Sequence, residues 1–167
     1  MKASFCRAFR AAAFSGGYTF FGRTKTQGTA MLENDIALRA LLRECRSVAV
    51  VGAKDRPGSP VDGVGRYLMQ AGFTVYPVHP MRKTVWGLAA FSSLAELPGP
   101  VDIVDLFRAP EHCPAHAREV AALAIPPRIF WMQSGIDSPE ARAILVALPI
   151  TVVADRCLMV EHHRLLA

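Results

Sequence analysis

The stretch VVGAKDRPGSP, residues 50–60, decides how the rest of the chain is interpreted. An apolar run reaches Gly52, and Lys54 and Arg56 then precede a Ser-Pro pair at 59–60. This order predicts a buried parallel strand, a loop and the first turn of a helix. Such loops commonly bind phosphate, because a helix begins with free amide groups and a positive dipole end. The spacing G-x-G-x-x-G of a dinucleotide-binding turn is missing, however, so other residues have to identify the ligand.

Apolar runs alternate with helical patterns on both sides of this loop. Strands are predicted at 47–52, 73–78, 101–107, 128–132 and 150–154. Helices are predicted from a cap at Asn34 or Asp35, over 60–72, from about 114 past Leu123, and over 138–148. One further helical turn is predicted at 93–97.

This alternation predicts β-α-β units and therefore an α/β fold. Because crossovers between parallel strands are right-handed, we expect a Rossmann-like, doubly wound sheet of five parallel strands with helices on both faces. The simplest strand order is 3-2-1-4-5. In that order the first and fourth strands flank the switch point, where such sheets bind ligands, so the loop at Gly52 would face the loop at 133–135.

Composition and charge narrow the class of protein. A chain of 167 residues builds one domain, no apolar run approaches the ~20 residues of a membrane span, and the four cysteines lack C-x-x-C spacing. Residues 1–30 hold five Lys or Arg side chains and no acid, so residues 31–167 carry equal numbers of basic and acidic groups. We predict a flexible basic extension at 1–30, with a transit peptide as the alternative. The remaining residues, 31–167, are expected to form the folded domain, to be cytoplasmic and to bind neither nucleic acid nor membrane.

The end of the second strand distinguishes between nucleotide ligands. A carboxylate at this position would hold the ribose hydroxyls of NAD, but the chain has His79 and Pro80, followed by Arg82 and Lys83. With the two cations of the first loop, these side chains offer four positive charges near a helix N-terminus. A ligand with a diphosphate and a further ribose phosphate, either NADP or coenzyme A, fits this set.

Six segments carry a resemblance to a known family: VAVVGAKDRPGSPVDGVGRYL, GFTVYPVHP, WGLAAFSSLAELP, VDIVDLFRAP, WMQSGI and VVADRC. In this order they resemble the small stand-alone CoA-binding proteins, whose Rossmann-like domain also forms the N-terminal part of the succinyl-CoA synthetase alpha subunit. The resemblance covers about residues 34–163. Two positions depart from it, since His79 stands where the family usually has Asn, and Ser134 where an apolar residue is common.

The resemblance implies a CoA site, residue by residue. Implied around the diphosphate are Gly52, Ala53, Lys54, Arg56 and Ser59. Implied near the adenosine are His79 and Pro80, and the cations Arg82 and Lys83 lie just beyond them. The residues implied in the pocket after the third strand are Phe107 and Arg108. Those implied on the pantetheine side are Gln133, Ser134 and Gly135.

The expected function is binding of coenzyme A or an acyl-CoA at the carboxyl ends of the strands, without catalysis of its own. In the larger synthetases a phosphorylated histidine and a nucleotide-binding domain perform the chemistry, and both lie outside this domain. The alternatives are an NADP-dependent oxidoreductase, a catalytic subunit lacking its partner, and an interaction module that has no ligand. A homodimer or a larger acyl-CoA enzyme stays open as the protein partner.

Two of these site residues have a structural explanation as well as a functional one. Ser59 precedes a predicted helix and is a natural N-cap, which does not prevent it from also donating to a ligand. Arg108 follows a buried strand, where it is either a cation of the pocket or the salt-bridge partner of Asp105 or Glu111.

Two features near the C-terminus are expected to be structural. Cys157 follows an arginine that would activate a thiol, but a buried structural cysteine is the favoured interpretation. The sequence Glu-His-His at 161–163 resembles a metal-binding group, but adjacent histidines on a tail are usually solvated. We therefore assign no metal ligand and no catalytic residue.

Overall fold

The structure, a computed structural model, describes residues 27–166, with side chains from residue 34 onward. The predicted extension at 1–30 lies outside the described residues except for its last four, which begin a helix. In chain order the elements are α1 (Gln27–Glu44), β1 (Ser47–Val51), α2 (Pro60–Gln70), β2 (Thr74–Val78), β3 (Thr84–Val85), β4 (Leu88–Ala89), β5 (Ile103–Leu106), α3 (Cys113–Ala121), β6 (Ile129–Met132), α4 (Pro139–Leu145), β7 (Thr151–Val153) and α5 (Leu158–Leu166). Two 3-10 turns lie at Leu94–Glu96 and Pro110–His112.

Five strands form one parallel sheet in the order β2-β1-β5-β6-β7, with helices on both faces. The predicted Rossmann-like, doubly wound α/β class is confirmed. Counted along the chain, however, the strand order is 2-1-3-4-5, so the third strand lies between the first and the fourth instead of outside the second. Both orders satisfy right-handed crossovers, and for this reason the alternation of elements could not separate them.

Pro77 explains why β2 lies at the edge of the sheet. A strand with neighbours on both sides needs every backbone N–H, and a proline has none. Pro77 lies beside Val50 of β1, and on its outer side its carbonyl accepts the N–H of Phe91 at 2.9 Å. All four residues of β5 are buried, as expected for a central strand. The structure therefore corrects the predicted strand order.

Two hydrophobic cores lie on the two faces of the sheet. Val48 and Val50 of β1 belong to the core under α1, α2 and α5, whereas Ala49 and Val51 belong to the core under α3 and α4. This alternation follows from the two-residue period of a strand. Because all five strands run in one direction, the loops that precede α2 and α3 meet at the same edge of the sheet.

Two parts of the chain differ from the predicted elements. α1 begins at Gln27, before the predicted cap at Asn34 or Asp35, because the strong helix formers at 30–33 let the helix continue toward the N-terminus. Residues 161–163, expected on a solvated tail, lie within α5. This helix forms because Leu158 and Leu165 bury one side of it against the first core.

Candidate functional site

The switch point of the sheet lies between β1 and β5, and the loops that follow these two strands touch there. Gly52 has φ +85°, and a Cβ at this position would lie 2.6 Å from the carbonyl oxygen of Phe107. The N–H groups of Gly52 and Ala53 donate to the Val78 carbonyl at 2.9 and 3.3 Å. The glycine is thus required for a close approach of two loops, and its N–H is engaged within the protein.

A cleft of about 430 Å³ opens at this edge of the sheet, and we call it the large cleft. It lies between the start of α2 and the loops that follow β5 and β6. The predicted site residues in its wall are Lys54, Ser59, Phe107, Arg108, Gln133, Ser134 and Gly135. The structure thus brings together the loop after β1 and the loop at 133–135, with the loop after β5 between them.

A second cleft, of about 230 Å³, adjoins the first at Arg108, and we call it the small cleft. Its wall contains the predicted residues Gly52 and Pro80. It also contains residues that the sequence analysis missed, namely Ser92, Ser93, His116 and Glu119. His116 and Glu119 are paired through Nδ1 and Oε2 at 2.7 Å. They lie one helical turn apart on α3, a spacing that is too common in helices to have identified them beforehand.

Arg108 lies where the two clefts meet, and it is the most unusual polar residue of the site. Its Nε atom is buried and has no hydrogen-bond partner among the described residues. Within the same residues it forms no salt bridge with Asp105 or Glu111, so the structural explanation for Arg108 is not supported there. A buried donor without an acceptor costs free energy. Arg108 is therefore the group of this site that most needs an acceptor from outside the protein.

Gln133 lies in the wall of the large cleft and is hydrogen-bonded to a buried carboxyl group behind it. Its side chain is only 4% exposed, and its Nε2 donates to both oxygens of Asp105, at 2.8 and 3.0 Å. Asp105 is fully buried in β5, and desolvation raises its pKa to about 7 while the Gln133 hydrogen bond acts in the opposite direction. The bond to Asp105 fixes the Gln133 amide, so that its Oε1 is the atom left for a ligand.

The loop at 79–83 brings further positive charge to the site. The pKa of His79 is lowered, chiefly by burial and then by the charges of Arg82, Arg108 and Lys54. These three cations are therefore near enough to influence one imidazole, and two of them, Lys54 and Arg82, belong to the predicted set of four. Arg82 is partly neutralised, because its guanidinium donates to Asp55 in the first loop at 2.6 Å.

Five predicted residues belong to the wall of neither cleft: Ala53, Arg56, His79, Arg82 and Lys83. Ala53 is buried, and the three cations among them are exposed. Ser59 precedes α2 as expected, but its hydroxyl donates to the Arg56 carbonyl at 2.7 Å and does not cap the helix. The N-cap interpretation of Ser59 is therefore wrong for its side chain, while its place in the wall of the large cleft leaves a role as a ligand donor open.

A hairpin that the sequence analysis did not predict fixes the position of the 79–83 loop. β3 and β4 pair immediately after this loop, and Trp86 between them donates from Nε1 to Asp62 of α2 at 2.9 Å. A Cβ at Gly65 would lie 2.2 Å from the Trp86 ring, so the indole packs directly on the α2 backbone. The hairpin is thereby held against the helix whose first turn borders the large cleft.

The remaining histidines and possible membrane segments do not add a site. The Nδ1 atom of His162 and the Tyr67 hydroxyl share a hydrogen bond of 2.8 Å, and this bond links α5 to α2. Between residues 27 and 166, no three His, Cys, Asp or Glu side chains come close enough to hold a metal ion. No helix in that range is long and apolar enough to cross a bilayer.

The sheet order and the glycine turn at the switch point define a Rossmann-like α/β domain with cationic clefts beside the switch point. Residues 46–163 match the family described as the CoA binding domain. This match covers more than half of the chain, and the chain therefore belongs to the CoA binding domain family.

Most of the chain is also similar to a curated protein and to solved structures. The uncharacterized protein YneT of Bacillus subtilis strain 168 is 36% identical over 125 residues, which is 75% of this chain and 91% of that protein. The structure of cell-free ID.343 from Thermus thermophilus is 46% identical with a TM-score of 0.74, covering 79% of this chain and 98% of the other. A hypothetical protein from Pyrococcus horikoshii OT3 is 30% identical with a TM-score of 0.75, covering 80% and 92%.

Proposed function

We propose that this protein binds coenzyme A or an acyl-CoA across the two clefts at the carboxyl ends of β1, β5 and β6. In this proposal it acts in the cytoplasm as a binding protein and does not catalyse a reaction by itself. Membership of the CoA binding domain family supports a CoA-related role. The acyl group, the absence of catalysis and the residues that contact the ligand are our inferences.

The observation that carries the proposal is the buried Nε of Arg108, which lacks an acceptor among the described residues. Phosphate oxygens are strong acceptors for guanidinium donors. Arg108 lies at the junction of two clefts, and Lys54 is in the wall of the larger one. A diphosphate at this junction would receive hydrogen bonds from Arg108 and charge from Lys54.

The two ends of CoA then fit different clefts. The adenosine 3′-phosphate would lie toward the 79–83 loop, where Arg82 adds positive charge beside His79. The pantetheine arm would lie in the large cleft, whose wall includes Phe107 and the amide of Gln133. Apolar and aromatic walls with a few fixed polar groups are typical of small-molecule sites.

NADP is the competing ligand, because it also combines a diphosphate with a ribose phosphate. To distinguish the two, the protein purified from cells is denatured and the released small molecules are identified by mass spectrometry. We expect CoA or an acyl-CoA in amounts that approach the amount of protein. Release of NADP or NADPH in place of CoA would overturn the proposal.

When little ligand survives purification, direct titration replaces the analysis of released molecules. Calorimetry with CoA, NADP and NADPH is performed on the same preparation. Binding of CoA and no binding of the dinucleotides is the expected result, and the reverse pattern would contradict the proposal.

A further inference from the structure

One of the cysteines in the described residues lies in the wall of the large cleft. Cys45 and Cys113 are fully buried in the two cores, and burial raises the pKa of both thiols, that of Cys45 to about 12. Cys157 is half-buried and lines the large cleft beside Ser134 and Gly135. The expectation that Cys157 is a buried structural cysteine therefore does not describe its position.

The turn that carries Cys157 is fixed against the loop after β6. The Asp155 N–H donates to the Ile136 carbonyl at 3.0 Å, and the Asp155 carboxylate accepts the Gly135 N–H at 2.7 Å. The Arg156 carbonyl accepts the Trp131 indole N–H at 2.6 Å. Three hydrogen bonds thus attach residues 155–156 to β6 and its loop, which keeps the next residue at the cleft.

A second observation in the same cleft points to a ligand. Gln133 is more than nine-tenths buried and lines the cleft, and its Nε2 donates to Asp105. None of the side-chain hydrogen bonds in the described part of the chain uses its Oε1. A fixed amide oxygen in the wall of a cleft is an acceptor for a ligand N–H group.

The order of these groups across the sheet matches the order of groups along CoA. Arg108 follows β5, Gln133 follows β6 and Cys157 follows β7, and these three strands are neighbours. Neighbouring strands are roughly 4.8 Å apart, so the first and third groups are separated by about 10 Å along the edge of the sheet. CoA likewise presents a phosphate, then the amides of pantetheine, and finally a thiol.

We infer that Cys157 is a site of reversible modification, at which its sulfur forms a mixed disulfide with CoA held in the large cleft. The inference rests on the proposed function, since CoA has to occupy the cleft with its pantetheine arm toward Cys157. Besides binding CoA reversibly, the protein then has a covalent mixed-disulfide state, and the fraction of protein in this state depends on the thiol redox balance.

The step is a thiol–disulfide exchange, and its co-reactant is a disulfide of CoA. The Cys157 thiol loses its proton to solvent, and its sulfur attacks the CoA-side sulfur of the ligand disulfide. A bond forms between Cys157 Sγ and the CoA sulfur while the ligand S–S bond breaks. The departing thiolate takes up a proton, so the reaction conserves electrons and needs no further oxidant. A free thiol such as dithiothreitol reverses it.

The test measures the intact mass of the reduced, full-length protein after incubation with CoA disulfide or with glutathione disulfide. A variant with Cys6→Ser serves as the background, because Cys6 lies outside the described residues. We expect one CoA adduct, removed by dithiothreitol and formed at least about tenfold faster than the glutathione adduct, because binding raises the effective concentration of the CoA disulfide. Desulfo-CoA, which lacks the thiol, should slow the reaction by competition.

Peptide mapping of the adduct identifies the modified cysteine directly. In a separate measurement, the double variant Cys6→Ser/Cys157→Ser should form no adduct. An adduct on another cysteine, or equal rates with both disulfides and no protection by desulfo-CoA, would overturn the inference. Calorimetry with desulfo-CoA separates this outcome from failure of the proposed function. Binding of desulfo-CoA without a Cys157 adduct refutes the modification alone, whereas no binding of either CoA or desulfo-CoA refutes the proposed function.

Discussion

Two grooves of nearly equal size differ in how their charged groups are satisfied. The large cleft measures about 430 Å³, and a groove between α1 and β7, which we call the α1 groove, measures about 410 Å³. In the α1 groove Arg142 is paired with Asp137, and Arg156 lies 3.9 and 3.8 Å from the carboxylates of Asp35 and Glu161. In the large cleft the buried Nε of Arg108 has no acceptor among the described residues.

Volume alone therefore does not identify a binding site in this protein. Both grooves could admit a small molecule, but the arginines of the α1 groove already have carboxylate partners within the chain. The large cleft combines an unmatched donor with a fixed amide oxygen, and the close-packed glycine turn lies in the adjoining small cleft. Natural proteins keep few buried polar groups unsatisfied, and such groups concentrate at functional sites.

The largest expected effect comes from adding one methyl group where the loops after β1 and β5 touch. Gly52→Ala forces an L-residue to φ +85° and places Cβ 2.6 Å from the Phe107 carbonyl oxygen. We expect a loss of about 3–5 kcal/mol in the free energy of unfolding, from backbone strain and overpacking together. Gly58→Ala is the matched control, because Gly58 has φ +79° and no atom within 4 Å of its Cβ position.

Gly58→Ala should cost only about 1 kcal/mol, since it carries the backbone strain without the clash. Both values are measured by urea unfolding followed by circular dichroism. Equal losses for the two variants would contradict the close approach of the loops at the switch point.

The second prediction concerns two carboxyl groups whose pKa values are shifted in opposite directions. The pKa of Asp105, beside the large cleft, is raised to about 7, chiefly by desolvation. In the unfolded state the same carboxyl group has its ordinary pKa near 3.8. Between these two pH values the folded state therefore retains a proton that the unfolded state releases. Stability from this group is therefore lost as the pH rises from about 4 to 7. Asp105→Asn should become more stable than the unmodified protein across this range, by roughly 2 kcal/mol or more at pH 8.

Asp35, whose partner Arg156 lines the α1 groove, provides the opposite case. The hydrogen bond from Arg164 lowers its pKa, so its stabilising contribution is present above pH 4 and lost in stronger acid. Asp35→Asn should therefore be less stable than the unmodified protein at pH 7. Thermal unfolding at pH 5, 6, 7 and 8 checks both variants, and a parallel pH response of the two would refute the contrast between the grooves.

The smallest expected effect distinguishes CoA from dephospho-CoA, which lacks only the 3′-phosphate. Arg82 and Asp55 are paired with side chains about 40% exposed, so an added phosphate competes with Asp55 and with water. We expect dephospho-CoA to bind about tenfold more weakly, equivalent to about 1.4 kcal/mol. Arg82→Gln/Lys83→Gln should remove most of this difference, as measured by calorimetry.

Neutralising Lys54 and Arg56 together is the control for this experiment, because the diphosphate is common to both ligands. That variant should weaken both complexes by similar factors and leave their ratio near ten. If the unmodified protein binds the two ligands equally, the assignment of the 79–83 loop to the 3′-phosphate is refuted.

Much of the fold follows from local patterns that a sequence displays directly. The five strands were predictable because each is a short apolar run bounded by Gly or Pro, and the Ser138 hydroxyl accepts the Ala141 N–H as a capping residue should. The strand order was not deduced, although Pro77 in the second strand was a usable signal for an edge position. The hairpin depends on contacts between Trp86 and α2 that are distant in sequence, so no local pattern indicated it.

In the candidate site, too, some residues could be predicted from local sequence patterns and others could not. Gln133 was proposed because strand ends of a parallel sheet converge at one edge, whereas Arg108 was proposed from the resemblance to the CoA-binding family. Cys157 also follows a strand, but its exposure to the cleft depends on the hydrogen bonds of the preceding turn. Small-cleft residues such as Ser92 and His116 lie on elements whose positions only the folded structure defines.

One arginine from each groove is substituted, and CoA binding by the two variants and the unmodified protein is compared by titration calorimetry. Arg108→Gln removes the charge of the guanidinium whose buried Nε has no partner among the described residues, and Arg142→Gln removes the charge of a paired arginine in the α1 groove. We expect Arg108→Gln to weaken CoA binding by about 10- to 100-fold, because a charge-assisted hydrogen bond contributes roughly 1.5–3 kcal/mol. Arg142→Gln should leave the affinity within about twofold of the unmodified protein. Equal affinities for all three proteins, or a larger loss with Arg142→Gln, would contradict the central claim that the large cleft binds CoA.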